Sequence, residues 1–184
     1  MNDFDIIFAG NIGEAQDIES IVECIKLCQK NNLSVRFIFL GGGSKLDWLQ
    51  KQKINNKLNN LYILGKKPKE HVMNYLILAD ASLISLKNGK ALNLVLPYKF
   101  LHYLFLKKPI LGMINGETNL LIKKNEVGFC VNSGNYEKLY QNILKIQKLS
   151  FFQLNKIKNN CEKLIKSDFS RERQLSKIIE IIRV

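Results

Sequence analysis

Asp5-Ile6-Ile7-Phe8-Ala9-Gly10-Asn11-Ile12-Gly13-Glu14 is the stretch on which the fold turns. Its apolar run stops at a glycine, and a helical pattern runs from Glu14 to Lys30. Ile18, Ile21, Val22, Ile25 and Cys28 recur there at the three- and four-residue spacing that gathers side chains on one helix face. The strand itself does not alternate polar with apolar residues, so both of its faces are predicted to be covered. A continuous apolar strand feeding an amphipathic helix is the opening of a βαβ unit.

Reading outward, the same alternation repeats along the chain. Val35 to Leu40 is a second strand, closed by Gly41-Gly42-Gly43, and Lys45 to about Lys57 is a helix holding Trp48. Leu61 to Leu64 is a third strand, and Pro68 opens a helix through Ala79, because proline suits a first helical turn. Ala81 to Leu86 is a fourth strand, followed by a loop over Lys87 to Leu96 and a helix from Pro97 through Leu106. Pro109 to Met113, a helix from Glu117 to about Lys124, and Gly128 to Val131 follow. Tyr136 to Arg183 reads as helical, with breaks near Ser150 and at Ser167-Asp168. Six such strands predict an α/β fold with a doubly wound six-stranded parallel sheet, Rossmann-like. With neither linker nor repeat, residues 1–184 read as one domain, with a core over 5–145 and C-terminal helices over 136–184.

Composition narrows the partners. Hydrophobic residues make up 46% and charged residues 24%, the balance of a globular domain. No apolar run is long enough for a transmembrane helix, and the acidic start, Met1-Asn2-Asp3-Phe4-Asp5, is neither a signal nor a transit peptide. A cytoplasmic location is expected. Cys24, Cys28, Cys130 and Cys161 lack zinc-site spacing and read as buried thiols. The net charge is +12, and Lys145 to Val184 carries ten Lys or Arg against four Asp or Glu. Such a field suits a phosphate-rich ligand or an anionic membrane surface. No nucleic-acid partner is expected, because aromatic residues are not interleaved with basic ones as a stacking platform needs. Ile157, Leu164 and Ile165 with Ile178, Ile179, Ile181 and Ile182 form apolar stripes that serve either the core or a membrane.

In an open parallel sheet, ligands sit at the carboxyl ends of the strands near the switch in strand order. The Gly10-Asn11-Ile12-Gly13 loop lies there, and is either an anion-binding turn or an ordinary tight connection. A dinucleotide site would want a carboxylate at the end of the second strand, but Phe39-Leu40-Gly41 supplies none, which argues against NAD. Two further helix starts, Leu96-Pro97-Tyr98-Lys99 and Asn115-Gly116-Glu117-Thr118, would aim N–H groups at one place. Lys99 would add a point charge or lie in solvent, and Glu117 would hold a sugar or cap its own helix.

Several of these segments resemble the C-terminal domain of retaining GT-B glycosyltransferases of family 4, or group 1. The resemblance is to the branch that builds O-antigen and capsule, including aminosugar transferases such as fucosaminyltransferases. It rests on Gly10-Asn11-Ile12-Gly13 followed by Gln16, Phe39-Leu40-Gly41-Gly42-Gly43, Leu64-Gly65-Lys66-Lys67-Pro68, Ala79-Asp80-Ala81-Ser82, Pro97-Tyr98-Lys99, Lys108-Pro109-Ile110-Leu111, Gly116-Glu117 and Gly128-Phe129-Cys130-Val131. It covers roughly residues 5–145. The resemblance implies one half of a GT-B architecture that binds a nucleotide-sugar, with the acceptor half, an N-terminal domain or separate subunit, absent from this sequence. It places the diphosphate and sugar near Gly10, Asn11, Gly13, Gln16, Tyr98, Lys99, Gly116 and Glu117, and the nucleoside near Gly65, Lys66, Pro68 and His102. No metal or other cofactor is implied, and no catalytic residue is assigned. Many relatives have two Glu residues eight apart, and Leu94 and His102 stand at those positions. Leu106-Lys107 replaces a usual Ala-x-Gly before Lys108. Two alternatives keep the fold: a nucleotide-sugar 2-epimerase, or the non-catalytic donor subunit of a split transferase. Donor binding by a peripheral protein at the inner face of the membrane completes the expectation.

Overall fold

In the computed structural model, which describes residues 3–170 and Arg173, the apolar runs pair side by side as one sheet. Its strands are β1 (Phe4–Ala9), β2 (Val35–Leu40), β3 (Leu61–Gly65), β4 (Ala81–Ser85), β5 (Ile110–Met113) and β6 (Gly128–Val131). All pairs are parallel, and the order is β3-β2-β1-β4-β5-β6. The order reverses between β1 and β4, so the switch point lies where the first strand ends.

Among the described residues, six α-helices connect the strands, α1 (Ile18–Lys30), α2 (Leu46–Asn55), α3 (Lys69–Leu78), α4 (Lys90–Leu94), α5 (Tyr98–Leu106) and α6 (Gly116–Lys124), and two follow β6, α7 (Tyr136–Ile146) and α8 (Phe151–Asp168). Two apolar cores cover the sheet, as its non-alternating strands require. One joins Ile6, Phe8, Phe37 and Phe39 to α1, Leu49 of α2, and Leu139 and Ile143 of α7. The other joins Ile7, Ile84 and Ile110 to Leu76 of α3, Phe100, Tyr103 and Leu104 of α5, Ile122 of α6 and Ile157 of α8. All four cysteines are buried and unpaired.

The structure departs from the sequence reading in two places and bears on two further points. The helix expected over 14–30 is split: a 3-10 turn covers Glu14–Gln16, Asp17 adopts the left-handed region at φ 47°, and α1 starts only at Ile18. The loop expected over 87–96 contains α4, a helix too short to show a periodic stripe. The helical tail breaks at 147–150 and again at Asp168, as its sequence suggests, but residues 174–184 lie outside the described residues and Ile178 to Ile182 with them. Finally, Ile157 and Leu164 are buried and Ile165 packs on the second core, so this part of the apolar stripe faces the protein interior and not a membrane. Among the described residues, no helix is long and apolar enough to cross a membrane.

Candidate functional site

The loops at the carboxyl ends of β1 and β2 are locked together by their backbones. Gly10 donates to Leu40 at 2.8 Å, Ile12 to Gly42 at 2.8 Å, and Lys45 to the Ile12 carbonyl at 2.9 Å. Gly41, at φ +139°, allows this approach: a Cβ there would lie 1.9 Å from the Gly10 carbonyl oxygen. The Gly13 N–H is taken by the Gln16 side-chain oxygen at 3.2 Å, which also lies 3.5 Å from the Asn11 amide nitrogen. Gln16 is therefore a brace of the loop. The N–H groups of Gly10, Ile12 and Gly13 are all engaged within the chain, so the glycines act by permitting close packing.

Asp17 joins this loop to the far side of the sheet. Buried at the start of α1, it accepts from Ser20 Oγ, Ser133 Oγ and the Gly134 N–H, each at 2.8 Å. These bonds tie the first loop to the loop after β6, and offset the left-handed backbone at a non-glycine residue. Below the loop, Lys45 bridges Glu14 at 3.2 Å and Glu19 at 2.8 Å, with Lys87 at 3.6 Å from each.

A cavity of about 520 Å3 opens between these loops and α3 and α5. It lies at the switch point, where sequence logic placed the ligand. Gly10, Asn11, Lys66, Lys99 and His102 line it, together with Leu40, Val72 and Leu76 on an apolar wall. Three lysines and no carboxylate contribute to the lining. That combination of an apolar wall and concentrated positive charge suits an aromatic group joined to a polyanion.

Lys99 is the centre of this charge. It enters from the first turn of α5, whose first helical residue follows Pro97. Its Nζ is buried without a hydrogen-bond partner and lies 3.8 Å from the centre of the Phe8 ring, close to Gly10. Burial lowers its pKa to about 8. The ring face stabilises the cation only in part. Tyr103, one turn along α5, is fully buried, and its hydroxyl accepts from the Ala9 N–H at 3.0 Å. This anchor pins the end of β1 to α5 and fixes the distance between the glycine loop and Lys99. Sequence reasoning missed it as a site residue, because an aromatic inside an apolar helix stripe reads as core.

The remaining candidates divide. His102 is exposed, borders the cavity and packs edge-on against Tyr98 at 4.7 Å. Tyr98, Gly13, Gln16, Gly65, Pro68, Gly116 and Glu117 are outside the cavity lining, although all lie at the same end of the sheet. Gly116 has φ +70°, and a Cβ there would lie 1.9 Å from the Asn93 carbonyl oxygen, so it seats α4 against α6. Asn115, before it, spends its side chain on Ser133 N–H at 2.8 Å and Asn88 at 3.2 Å, and makes no cap bond to α6. Glu117 is exposed. Leu94 is 84% exposed on the short helix α4, beside exposed Val95 and Tyr98. Among the described residues, no group of three or more His, Cys, Asp or Glu side chains could hold a metal ion.

Comparison with known proteins places the chain by family and fold. Residues 1–166 match the family described as glycosyl transferases group 1. The probable glycosyltransferase WbjE of Pseudomonas aeruginosa is 28% identical over 124 residues, which is 66% of this chain and 30% of that protein. Among solved structures, Anabaena HepE in complex with UDP-glucose superposes with a TM-score of 0.79 at 15% identity, over 99% of this chain and 49% of that one. The C-terminal domain of LpcC, a group 1 family protein of Francisella tularensis, superposes with a TM-score of 0.73 at 15% identity, over 92% of this chain and 88% of that domain. The chain spans about a third of the curated relative and about half of HepE. With a family match over nearly its whole length and the fold of a GT-B C-terminal half, this chain belongs to the glycosyl transferases group 1 family.

Proposed function

We propose that this chain is the donor-binding half of a retaining glycosyltransferase, taking a UDP-linked sugar. The observation that carries the reading is the buried, unpartnered Lys99 ammonium on the floor of a carboxylate-free cavity at the switch point. A buried cation without a partner is costly, and an anionic ligand is the natural way to offset it. In this reading the diphosphate lies against Lys99, Asn11 and the start of α5, with Gly116-Glu117 toward the sugar. The nucleoside lies against Lys66, Pro68 and the wall of Val72 and Leu76, its ribose near His102. The complexes of HepE with UDP and with UDP-glucose support the choice of nucleotide.

Transfer breaks the bond from the anomeric carbon to the diphosphate oxygen, and the electron pair leaves with that oxygen. The acceptor hydroxyl forms the new bond and passes its proton to the departing diphosphate oxygen. Lys99, held as a cation by the phosphates, stabilises the negative charge that grows on the leaving group. No resident metal is required in this scheme. The acceptor site, for a lipid-linked or polysaccharide acceptor in surface polysaccharide synthesis, belongs to the N-terminal half, so this chain binds donor without completing transfer. A cavity lining without a carboxylate favours transfer over epimerisation, which needs acid–base groups in the cleft.

Calorimetric titration with UDP tests the reading. Saturable binding that weakens at least tenfold in Lys99→Met supports it. Equal binding in both forms, or none to either UDP or GDP at millimolar concentration, overturns it.

A further inference from the structure

The lower end of the sheet, opposite the cavity, carries a second surface that donor binding does not use. Because every strand is parallel, the helices that return between them end at this lower edge. Lys123 and Lys124 fall in the last turn of α6 and Lys145 in the last turn of α7. The chain then passes beneath the sheet: Leu149 packs on both cores, and the Gln147 side chain donates to the Ser34 carbonyl, just before β2, at 2.8 Å. α8 starts at that point with Phe151 and Phe152, which are 81% and 78% exposed. They are not on a loose loop. Ser150 accepts from the Gln153 N–H, and the Gln153 side chain accepts from the Ser150 N–H, a reciprocal cap that holds the first turn rigid.

Charge surrounds the pair. From Lys123 to Lys158 there are seven exposed lysines and two carboxylates; one of the seven, Lys138, lies with Glu137 in the first turn of α7, and Asp3 and Asp5 at the lower edge are bridged by Arg36. Of the two carboxylates, Glu126 is engaged by Lys156 at 2.7 Å, and Glu137 lies in the first turn of α7, at the far end of that helix. The N-terminus of α8 adds its own positive end to the same place. Two adjacent aromatic side chains held in water by a capped helix, inside a lysine field, fit a surface with an apolar interior beneath anionic headgroups.

We propose that this lower face docks on an anionic lipid bilayer, with Phe151 and Phe152 inserted at the headgroup boundary and Lys123, Lys124, Lys145 and Lys148 on the headgroups. A bilayer is favoured over a second copy of the chain, because two such faces would bring like charges together. The placement leaves the cavity, at the other end of the strands, open to solution.

Co-sedimentation of the whole chain with phosphatidylcholine vesicles, with and without phosphatidylglycerol, tests this. The chain should pellet with the anionic vesicles and stay in the supernatant with neutral ones. Phe151→Ser with Phe152→Ser should lower the partition coefficient at least about tenfold, and Lys145→Glu with Lys148→Glu by a similar factor. UDP titration of the same variants reports whether they remain folded. As an independent readout, the indole emission of the Phe152→Trp variant should shift to the blue on anionic vesicles and be quenched by brominated lipid. Wild-type chain left in the supernatant with anionic vesicles overturns the proposal. So does a double Phe variant that pellets like wild type, an indole emission in Phe152→Trp that does not move, or a wild-type dimer that the Phe substitutions dissolve.

Discussion

The two sides of the switch point are held in different ways. On one side, the loops after β1 and β2 interlock through backbone hydrogen bonds and glycines, with almost no freedom to vary. On the other, the segment from Asn88 to Tyr98 is tethered mainly by side chains, Asn115 to Asn88 at 3.2 Å and Thr118 Oγ1 to the Val95 carbonyl at 3.3 Å, beside the one close approach of Gly116 to Asn93. It presents Leu94, Val95 and Tyr98 to solvent. The first side sets the shape of the cavity, whereas the second lies outside its lining. A fold that fixes one loop cluster by backbone geometry leaves the neighbouring segment freer to change.

Substitutions can break that contrast, beginning with the largest effect. Gly41→Ala places a Cβ against the Gly10 carbonyl in a backbone region that alanine avoids, and should cost about 3 kcal/mol or more in denaturant unfolding. Leu94→Ala, on the exposed segment across the switch point, should stay within about 0.5 kcal/mol. Similar losses at both positions would erase the distinction.

Lys99→Met should trade binding for stability. The folded pKa is about 8 against an ordinary 10.5, so below pH 8 the folded chain bears the cost of a buried cation. Stability of the wild type therefore rises between pH 8 and 10.5, as the folded state sheds a proton that the unfolded state keeps. At neutral pH the methionine variant should gain up to roughly 3 kcal/mol while losing affinity for UDP. Binding has the opposite slope. The ligand holds Lys99 protonated, so wild-type affinity should fall roughly fivefold from about pH 8 to pH 9, and the variant should lack that component. A flat wild-type profile would remove Lys99 from the phosphate site.

Asp17→Ala removes an acceptor shared by two loops and should cost about 2 kcal/mol by thermal unfolding, as expected for hydrogen bonds to a charged group. Lys107→Gly should have the smallest effect. Lys107 sits at φ 56° where relatives are expected to have glycine, so the change relieves about 1 kcal/mol of backbone strain. It also loses the solvent-screened pair with Glu162 at 2.7 Å, a smaller effect, leaving a slight net gain in melting temperature.

The same contrast governs what could be read from the sequence. The sheet was legible because Ile6-Ile7-Phe8 and Phe37-Ile38-Phe39 are too continuous for a half-exposed sheet. The glycine loops were legible as places, yet their role was not: nothing in Gly10-Asn11-Ile12-Gly13 tells that the N–H groups of Gly10, Ile12 and Gly13 bond to the neighbouring loop and to Gln16. Helix α4 was hidden because five residues do not complete two turns of a pattern. The break at Asp17 was hidden because apolar spacing continues across it, and only its distant partners Ser133 and Gly134 stabilise the turn. Lys99 was legible as a cation at a helix start, but its burial over Phe8 depends on Tyr103 pinning α5 to β1, a contact 94 residues apart in sequence. Long-range contacts of this kind leave no local pattern.

A crystal structure of the chain with UDP is the most direct test of the central claim. The account predicts the diphosphate within hydrogen-bonding distance of Lys99 Nζ, about 3 Å, with the uracil against Val72 and Leu76. A nucleotide bound elsewhere, with Lys99 still over the Phe8 ring and without an anionic partner, would contradict it.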